Sequence, residues 1–157
     1  MTPRIRPIET AMLAAPAALI ALACLGPFVS QPSNHHHFAD TRTLIGIPYA
    51  MDVLSNLPFA LWAVLGAMAL SRAWCGALSL AQRICAALFF AGLLATTAAS
   101  SFYHLQPDDT GLMIDRLGMT LAFAGLLGLA VAGSVSARAG LLTALTMLVL
   151  GPISIWV

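Results

Sequence analysis

The stretch ICAALFFAGLLATTAASSFY, from Ile84 to Tyr103, runs for twenty residues without one charged side chain. An α-helix rises about 1.5 Å per residue, so roughly 20 apolar residues cross a hydrocarbon core of about 30 Å. The whole chain has the same character, because 60% of its 157 residues are hydrophobic, 8% are charged and none is lysine. A soluble domain is roughly half apolar and a quarter charged, so this composition indicates a membrane protein.

Four further uncharged stretches surround this one, at 11–29, 53–71, 117–137 and 139–157. Each is about as long as a membrane-spanning helix. We therefore predict an all-α fold, a polytopic transmembrane bundle with helices at 10–29, 51–71, 80–104, 110–136 and 139–157. Ser79 and Gln82 form a capping-box pattern at the start of the third helix. No linker or repeat divides the chain, so residues 1–157 are expected to form a single transmembrane domain.

The first apolar stretch has two interpretations. Arg4 and Arg6 followed by an apolar run also describe a secretory signal peptide. The run is long for a signal core, and no clear small-x-small cleavage site precedes Gln31. We expect an uncleaved helix.

The arginines indicate an orientation, since cytoplasmic loops carry an excess of positive charge. With the N-terminus inside, five arginines lie on the cytoplasmic side and two lie outside. The inner set is Arg4, Arg6, Arg72, Arg83 and Arg138, and the outer pair is Arg42 and Arg116. This places the 30–50 loop and the turn at 106–111 on the outer face.

Ionisable residues concentrate in SSFYHLQPDDTGLMIDRLG, Ser100 to Gly118. Ser100 and His104 are four residues apart and share a helix face. Across the turn near Asp108, Asp115 lies one to two turns into the next, antiparallel helix. Counted outward from that turn, Ser100, His104 and Asp115 occupy similar depths. Ionisable groups inside spans usually face a cavity, a partner or a substrate path.

Simpler structural roles are available for each of these residues. Asp108 and Asp109 fit a helix N-terminus, where the helix dipole favours negative charge. Arg116 fits an interfacial arginine whose charged end reaches water. His104 could hydrogen-bond only to Ser100, and Asp115 could pair only with Arg116.

Other polar residues give weaker signals. Asp52, Ser55 and Asn56 open the second helix at the outer end, either as caps and interhelical hydrogen-bond donors or as supports near an active site. The run His35-His36-His37 is expected to be a solvated outer loop, because adjacent residues point in different directions and do not build a closed metal site. Cys24, Cys75 and Cys85 lack metal-ligand spacing and are expected to be small apolar fillers.

The combination Ser100-x-x-x-His104 with Asp115 in MIDRLGMTLAF resembles the signature of the CREST superfamily of seven-helix membrane hydrolases, which includes the alkaline ceramidases. The segment FADTRTLIGIPYAMDVLSNLPF, Phe38 to Phe59, is similar to the corresponding region of the bacterial ceramidase-like branch, including the pair Ser55-Asn56. The resemblance covers about 38–135. It implies that these helices are the N-terminal part of a seven- or eight-helix bundle in a bacterial inner membrane, and the arginine distribution places the site toward the outer face.

The resemblance further implies a zinc site. In that family a histidine at the position of His104 binds the metal, together with a His-x-x-x-His on the last helix. The residues that match Asp115 and Ser100 surround the water on the metal, Asp115 as general base and Ser100 as a hydrogen-bond donor. The implied reaction is hydrolysis of the amide of a ceramide-like membrane lipid. Calcium is not expected, because only Asp40 and Asp52 stand where eukaryotic relatives carry an acidic calcium-binding segment.

One departure from the family pattern is large: no histidine follows His104. We expect residues 1–157 to be part of a longer protein and to be inactive alone. The predicted function is a zinc-dependent amide hydrolase that acts on lipid and binds no nucleic acid. The alternative is a receptor-like or structural helical bundle without catalysis.

The predicted orientation can be tested by cysteine labelling in intact cells. Cys75 lies on the predicted inner side, so it should resist a membrane-impermeant maleimide that labels a cysteine introduced by Asp109→Cys. The reverse labelling pattern would invert the orientation.

Overall fold

The computed structural model describes residues 7–27, 30–72 and 76–155. Six helices follow one another in these ranges: α1 Pro7–Leu25, α2 Ala50–Leu54, α3 Leu57–Ser71, α4 Leu80–Leu105, α5 Asp109–Ser134 and α6 Ala137–Ile153. The all-α prediction is therefore confirmed for the described part of the chain. Four residues that carry predictions, Arg4, Arg6, Cys75 and Val157, lie outside it.

Three helical segments are long and apolar enough to cross a membrane: Ala50–Ser71 with 22 residues, and Leu80–Leu105 and Asp109–Ser134 with 26 each. Helix α6 is apolar but has 17 residues, and α1 is not among the three. Three of the five predicted spans are thus supported over the described ranges. Large apolar side chains such as Trp62 and Leu145 are exposed on the outer faces of the helices, as lipid contact requires.

The predicted helix at 51–71 is interrupted. Helix α2 ends at Leu54 and α3 begins at Leu57. The Ser55 hydroxyl and the Asn56 amide both donate to the carbonyl of Asp52, at 2.7 and 3.2 Å. Pro58, near the start of α3, has no N–H to continue the α2 ladder. Side-chain competition and the missing donor together explain the break.

The helix starts follow the capping chemistry. Ser79 and Gln82 form the predicted capping box of α4. Asp108 accepts from the Gly111 N–H at 2.6 Å and caps α5, and Ser136 accepts from the Ala139 N–H at 3.1 Å and caps α6. Short turns with defined caps make α4, α5 and α6 antiparallel neighbours.

Helix α4 is central. It contacts α2, α3, α5 and α6, while α6 also contacts α5 and α1. Backbones of α4 and α5 approach closely at glycines: a Cβ placed on Gly92 would lie 2.2 Å from the Ala122 nitrogen, and one on Gly125 would lie 2.2 Å from the Phe89 nitrogen. Small residues permit such approach in membrane bundles.

The two described cysteines differ in their surroundings. Cys85 is fully buried on α4, and its sulfur would lie 2.9 Å from a Cβ placed on Gly128 of α5, as the prediction of an apolar filler requires. Cys24 is exposed on α1. Both are free thiols.

One end of the bundle holds Arg72 at the end of α3, Arg83 near the start of α4 and Arg138 near the start of α6. There the Ser136 hydroxyl donates to the buried carboxylate of Glu9 at 2.8 Å, which ties α1 to the α5–α6 turn. The opposite end holds the 30–49 loop and the α4–α5 turn around Pro107, and is called the Pro107 end below. The direction in which the bundle crosses the membrane stays a prediction.

The close contact between α4 and α5 can be tested with two glycines of α5. Gly125→Ala should lower the melting temperature in detergent, because overpacking against rigid backbone costs about 1–3 kcal/mol. Gly133→Ala is the matched control, since its Cβ would lie 3.5 Å from the flexible end of Gln82. Gly133→Ala should keep or raise the melting temperature, because alanine favours the helix over glycine by up to about 1 kcal/mol. Equal shifts for both variants would contradict the close contact.

Candidate functional site at the Pro107 end

The register of α4 against α5 fixes the depth of the predicted site residues. A Cβ placed on Gly111 would lie 3.1 Å from the Tyr103 ring, and one on Gly118 would lie 2.9 Å from the Ala99 Cβ. Asp115 lies between these two glycines, so it is level with Ser100. His104 is one helical turn, about 5–6 Å, closer to the Pro107 end.

Helical periodicity indicates which faces these residues share. Asp115 is four residues after Gly111 and three before Gly118, which places it on the face of α5 that meets α4. On α4, Ser100 and His104 continue the face of Thr97, whose hydroxyl lies 3.4 Å from the Asn56 carbonyl. The polar residues of α4 therefore border both α5 and the α2–α3 turn.

Several buried polar atoms at this end have no hydrogen-bond partner. In the described residues, the buried side-chain atoms in this state are Asp52 Oδ2, His104 Nδ1, Asp115 Oδ1 and Thr143 Oγ1. The first three belong to residues that the sequence analysis selected. An unsatisfied buried polar group costs about 1–3 kcal/mol, so such atoms normally imply a ligand, an ion or water.

The simpler roles proposed for His104 and Asp115 do not account for these atoms. Asp115 is in none of the ion pairs found among the described residues, so it does not pair with Arg116. His104 Nδ1 makes no hydrogen bond to Ser100. Ser100 itself is buried, with 8% of its surface exposed. The capping role of Asp108 is confirmed.

The side-chain hydrogen bonds of Ser55 and Asn56 stabilise the local turn. Both side chains donate to the carbonyl of Asp52 within their own turn. The Asn56 carbonyl in turn faces Thr97 of α4. A supporting role near a catalytic site stays a prediction for all three residues, and Asp52 is the one with an unsatisfied buried oxygen.

The 30–49 loop folds over the Pro107 end. The ring of Phe38 packs against Tyr49, Tyr103 and His104, with centroids 5.2, 5.3 and 4.5 Å apart. Asp40 anchors the loop, because its carboxylate accepts from the Arg42 side chain and from the Met51 N–H at 2.8 Å. The hydrogen bond from Arg42, followed by that from Met51, lowers the pKa of Asp40 below its ordinary value.

A tight turn shapes the same loop. Leu44 and Ile47 exchange backbone hydrogen bonds of 3.1 and 2.9 Å, and both residues between them have positive φ, 53° for Ile45 and 79° for Gly46. Positive φ is unfavourable for a β-branched residue, so Ile45 is strained at the exposed tip of the loop.

Two of the three adjacent histidines converge, contrary to the expectation that neighbouring side chains would diverge. The Nε2 atoms of His35 and His36 lie 3.3 and 3.1 Å from the same oxygen of Asp109, Oδ1. This is the one group of three His, Cys, Asp or Glu residues in the described ranges whose donor atoms all lie within 4.8 Å of one another. Asp52, His104 and Asp115 do not form such a group.

Sequence patterns did not indicate the contacts of Phe38 and Tyr103 or the role of Asp109. Periodicity places helical residues, but it does not say how a loop folds back. The only signal was composition, since the loop combines three histidines, an aromatic residue and an aspartate in six positions, 35–40.

Comparison with known proteins finds no family model that matches the chain, no similar curated protein and no similar solved structure.

The unsatisfied carboxylate of Asp115 predicts a measurable effect on stability. Asp115→Leu should raise the melting temperature in detergent, because a similar-sized apolar side chain removes a desolvation cost of about 1–3 kcal/mol. Thr97→Val, which removes a made hydrogen bond, should lower it. A loss of stability in Asp115→Leu would show that Asp115 fastens helices.

Proposed function

We propose that this protein is a membrane-embedded, zinc-dependent hydrolase that cleaves the amide bond of ceramide-like lipids. The observation that carries the proposal is the set of buried, unpartnered atoms on Asp52, His104 and Asp115 at one end of an apolar bundle. The CREST-like spacing of Ser100, His104 and Asp115 supports the same reading.

The donor chemistry fits zinc. His104 offers an imidazole nitrogen, a common zinc ligand, and this atom has no other partner. The unpartnered carboxylate oxygen of Asp115 is available to a water beside the metal. The sequence has no histidine after His104, so the proposal assigns one histidine ligand to this chain, where the resemblance implies three. The chemistry that zinc supplies when bound is polarisation of the scissile carbonyl and acidification of a water.

The chain's own residues have distinct roles in this proposal. Asp115 orients the attacking water and accepts its proton as general base. Ser100, level with Asp115 on the adjacent helix, donates a hydrogen bond to the substrate. Phe38, packed on the imidazole of His104, holds that ring and covers it from solvent. The exposed apolar faces of the helices give a lipid substrate access from the bilayer.

A structural or receptor-like bundle is the second candidate function. The hydrogen bond from Thr97 to the Asn56 carbonyl fastens α4 to the α2–α3 turn, and the bond from Asn56 to Asp52 stabilises that turn, as in a protein without catalysis. Unpartnered atoms are unfavourable in such a bundle, because interhelical fastening would pair them.

The test measures zinc content and initial rate in detergent on a fluorescent short-chain ceramide, with the full reading frame of the gene expressed. His104→Ala should lose bound zinc and activity together. Asp115→Asn should keep most of the zinc and lose at least about 100-fold in turnover, because an amide cannot accept the proton.

Two controls match these substitutions. His37→Ala removes an exposed histidine, and Asp108→Asn replaces one good helix cap by another. Both should keep the wild-type rate. Undiminished turnover in Asp115→Asn would rule out the base role, and the absence of hydrolysis in every form would favour the structural bundle.

A further inference from the structure

His35, His36 and Asp109 form a cluster that the proposed hydrolase does not use. The two histidines come from the 30–49 loop, and Asp109 is the first residue of α5. The histidine side chains are 24% and 22% exposed, and that of Asp109 is 90% exposed. The cluster is therefore built from two largely sheltered imidazoles and one carboxylate open to water.

The Nδ1 atom of each imidazole already has a hydrogen-bond partner. His35 Nδ1 lies 2.8 Å from the carbonyl oxygen of Pro32, and His36 Nδ1 lies 3.1 Å from the hydroxyl of Tyr103. A carbonyl only accepts, so His35 Nδ1 carries the proton. In the neutral ring His35 Nε2 then presents a lone pair to Asp109 Oδ1, and two acceptors face each other at 3.3 Å.

Two arrangements relieve this conflict. A proton on the His35 ring alone does so, because His36 Nε2 can donate to Asp109 while its Nδ1 accepts from the Tyr103 hydroxyl, but this sets a cationic ring against a second imidazole whose centroid is 3.8 Å away. A metal cation between the three atoms satisfies both lone pairs and the carboxylate at once. In a metal site the other ring nitrogen of each histidine is held by a carbonyl, carboxylate or similar oxygen, and Pro32 and Tyr103 supply that here.

The distances agree with a metal site. Ligand atoms about 2.0–2.1 Å from a tetrahedral zinc ion lie roughly 3.3 Å from one another. The two Nε2 atoms are 3.3 and 3.1 Å from Asp109 Oδ1, and one ligand atom from each of the three residues lies within 4.8 Å of the other two. Asp108 does not compete for the ion, because its carboxylate caps α5.

We propose that His35, His36 and Asp109 bind a divalent transition-metal ion, with zinc as the ion to test first. The nitrogen donors select such an ion over calcium or magnesium. The exposure of Asp109 leaves the fourth coordination position to water. The ion joins the 30–49 loop to the start of α5 and so holds Phe38 against His104. The site does not depend on the proposed hydrolase activity.

The test titrates zinc into the 157-residue chain in detergent, purified without an oligohistidine tag, in competition with a chromophoric chelator. The wild type should bind one ion at this site. His36→Ala and Asp109→Asn should each weaken binding at least tenfold. Tyr103→Phe should weaken it about tenfold, as loss of a residue that holds a ligand does.

Two neighbouring variants serve as controls. His37→Ala removes the adjacent, exposed histidine, and Asp108→Asn replaces the carboxylate next to Asp109 by another good helix cap. Both should bind zinc within about twofold of wild type. A loss in His37→Ala equal to that in His36→Ala would mean loose chelation by a histidine run and would overturn the proposal. So would a loss in Asp108→Asn equal to that in Asp109→Asn, or unchanged affinity in both His36→Ala and Asp109→Asn.

X-ray absorption on the zinc-loaded wild type keeps the proposal testable if a variant fails to fold. Two imidazoles with oxygen donors in the first coordination shell support the site. Three imidazoles, or none, contradict it.

Discussion

The close backbone contact between α4 and α5 is the constraint on which the rest of the structure depends. At Gly92 and Gly125 the opposite helix leaves no room for even a methyl group. Two helices in this contact cannot slide past each other without separating, so their register is fixed. That register sets Ser100 level with Asp115 and leaves His104 one turn closer to the Pro107 end. Any function that uses these three residues therefore depends on glycines more than one helical turn away from them.

Polar atoms at the Pro107 end fall into two groups, those with a hydrogen-bond partner and those without one. Some are satisfied locally, as at the turn between α2 and α3, where Ser55 and Asn56 return hydrogen bonds to Asp52. Others, on Asp52, His104 and Asp115, are buried without a partner. A membrane protein gains nothing in stability from such atoms, since each carries a desolvation cost. Their concentration at one end of the bundle therefore favours a binding site for a ligand, an ion or water.

The 30–49 loop lies between the Pro107 end of the helices and the solvent. Phe38 covers His104, Asp40 anchors the loop to α2, and His35 and His36 meet Asp109 above the α4–α5 turn. The two polar clusters are thus neighbours but differ in environment. The one around His104 is enclosed by helices and covered by an aromatic ring, whereas the one around Asp109 is open to solvent. A cation bound by His35, His36 and Asp109 would hold the 30–49 loop over the polar residues around His104.

The sequence by itself determined the all-α fold and the three helices long and apolar enough to cross a membrane, because uncharged runs of about 20 residues have few other stable arrangements. It also determined the caps at Ser79 and Asp108, which depend on side chains within three residues of the backbone they bind. The similar depth of Ser100 and Asp115 followed from counting residues across one short turn. The break at Ser55–Asn56 was missed, because it comes from the competition of local hydrogen bonds with a helix ladder. Only the tertiary structure decided which polar atoms are left without partners and how the loop brings His35 and His36 to Asp109, more than 70 positions along the chain. Loop conformation and burial depend on contacts between residues distant in sequence, and no periodic pattern records them.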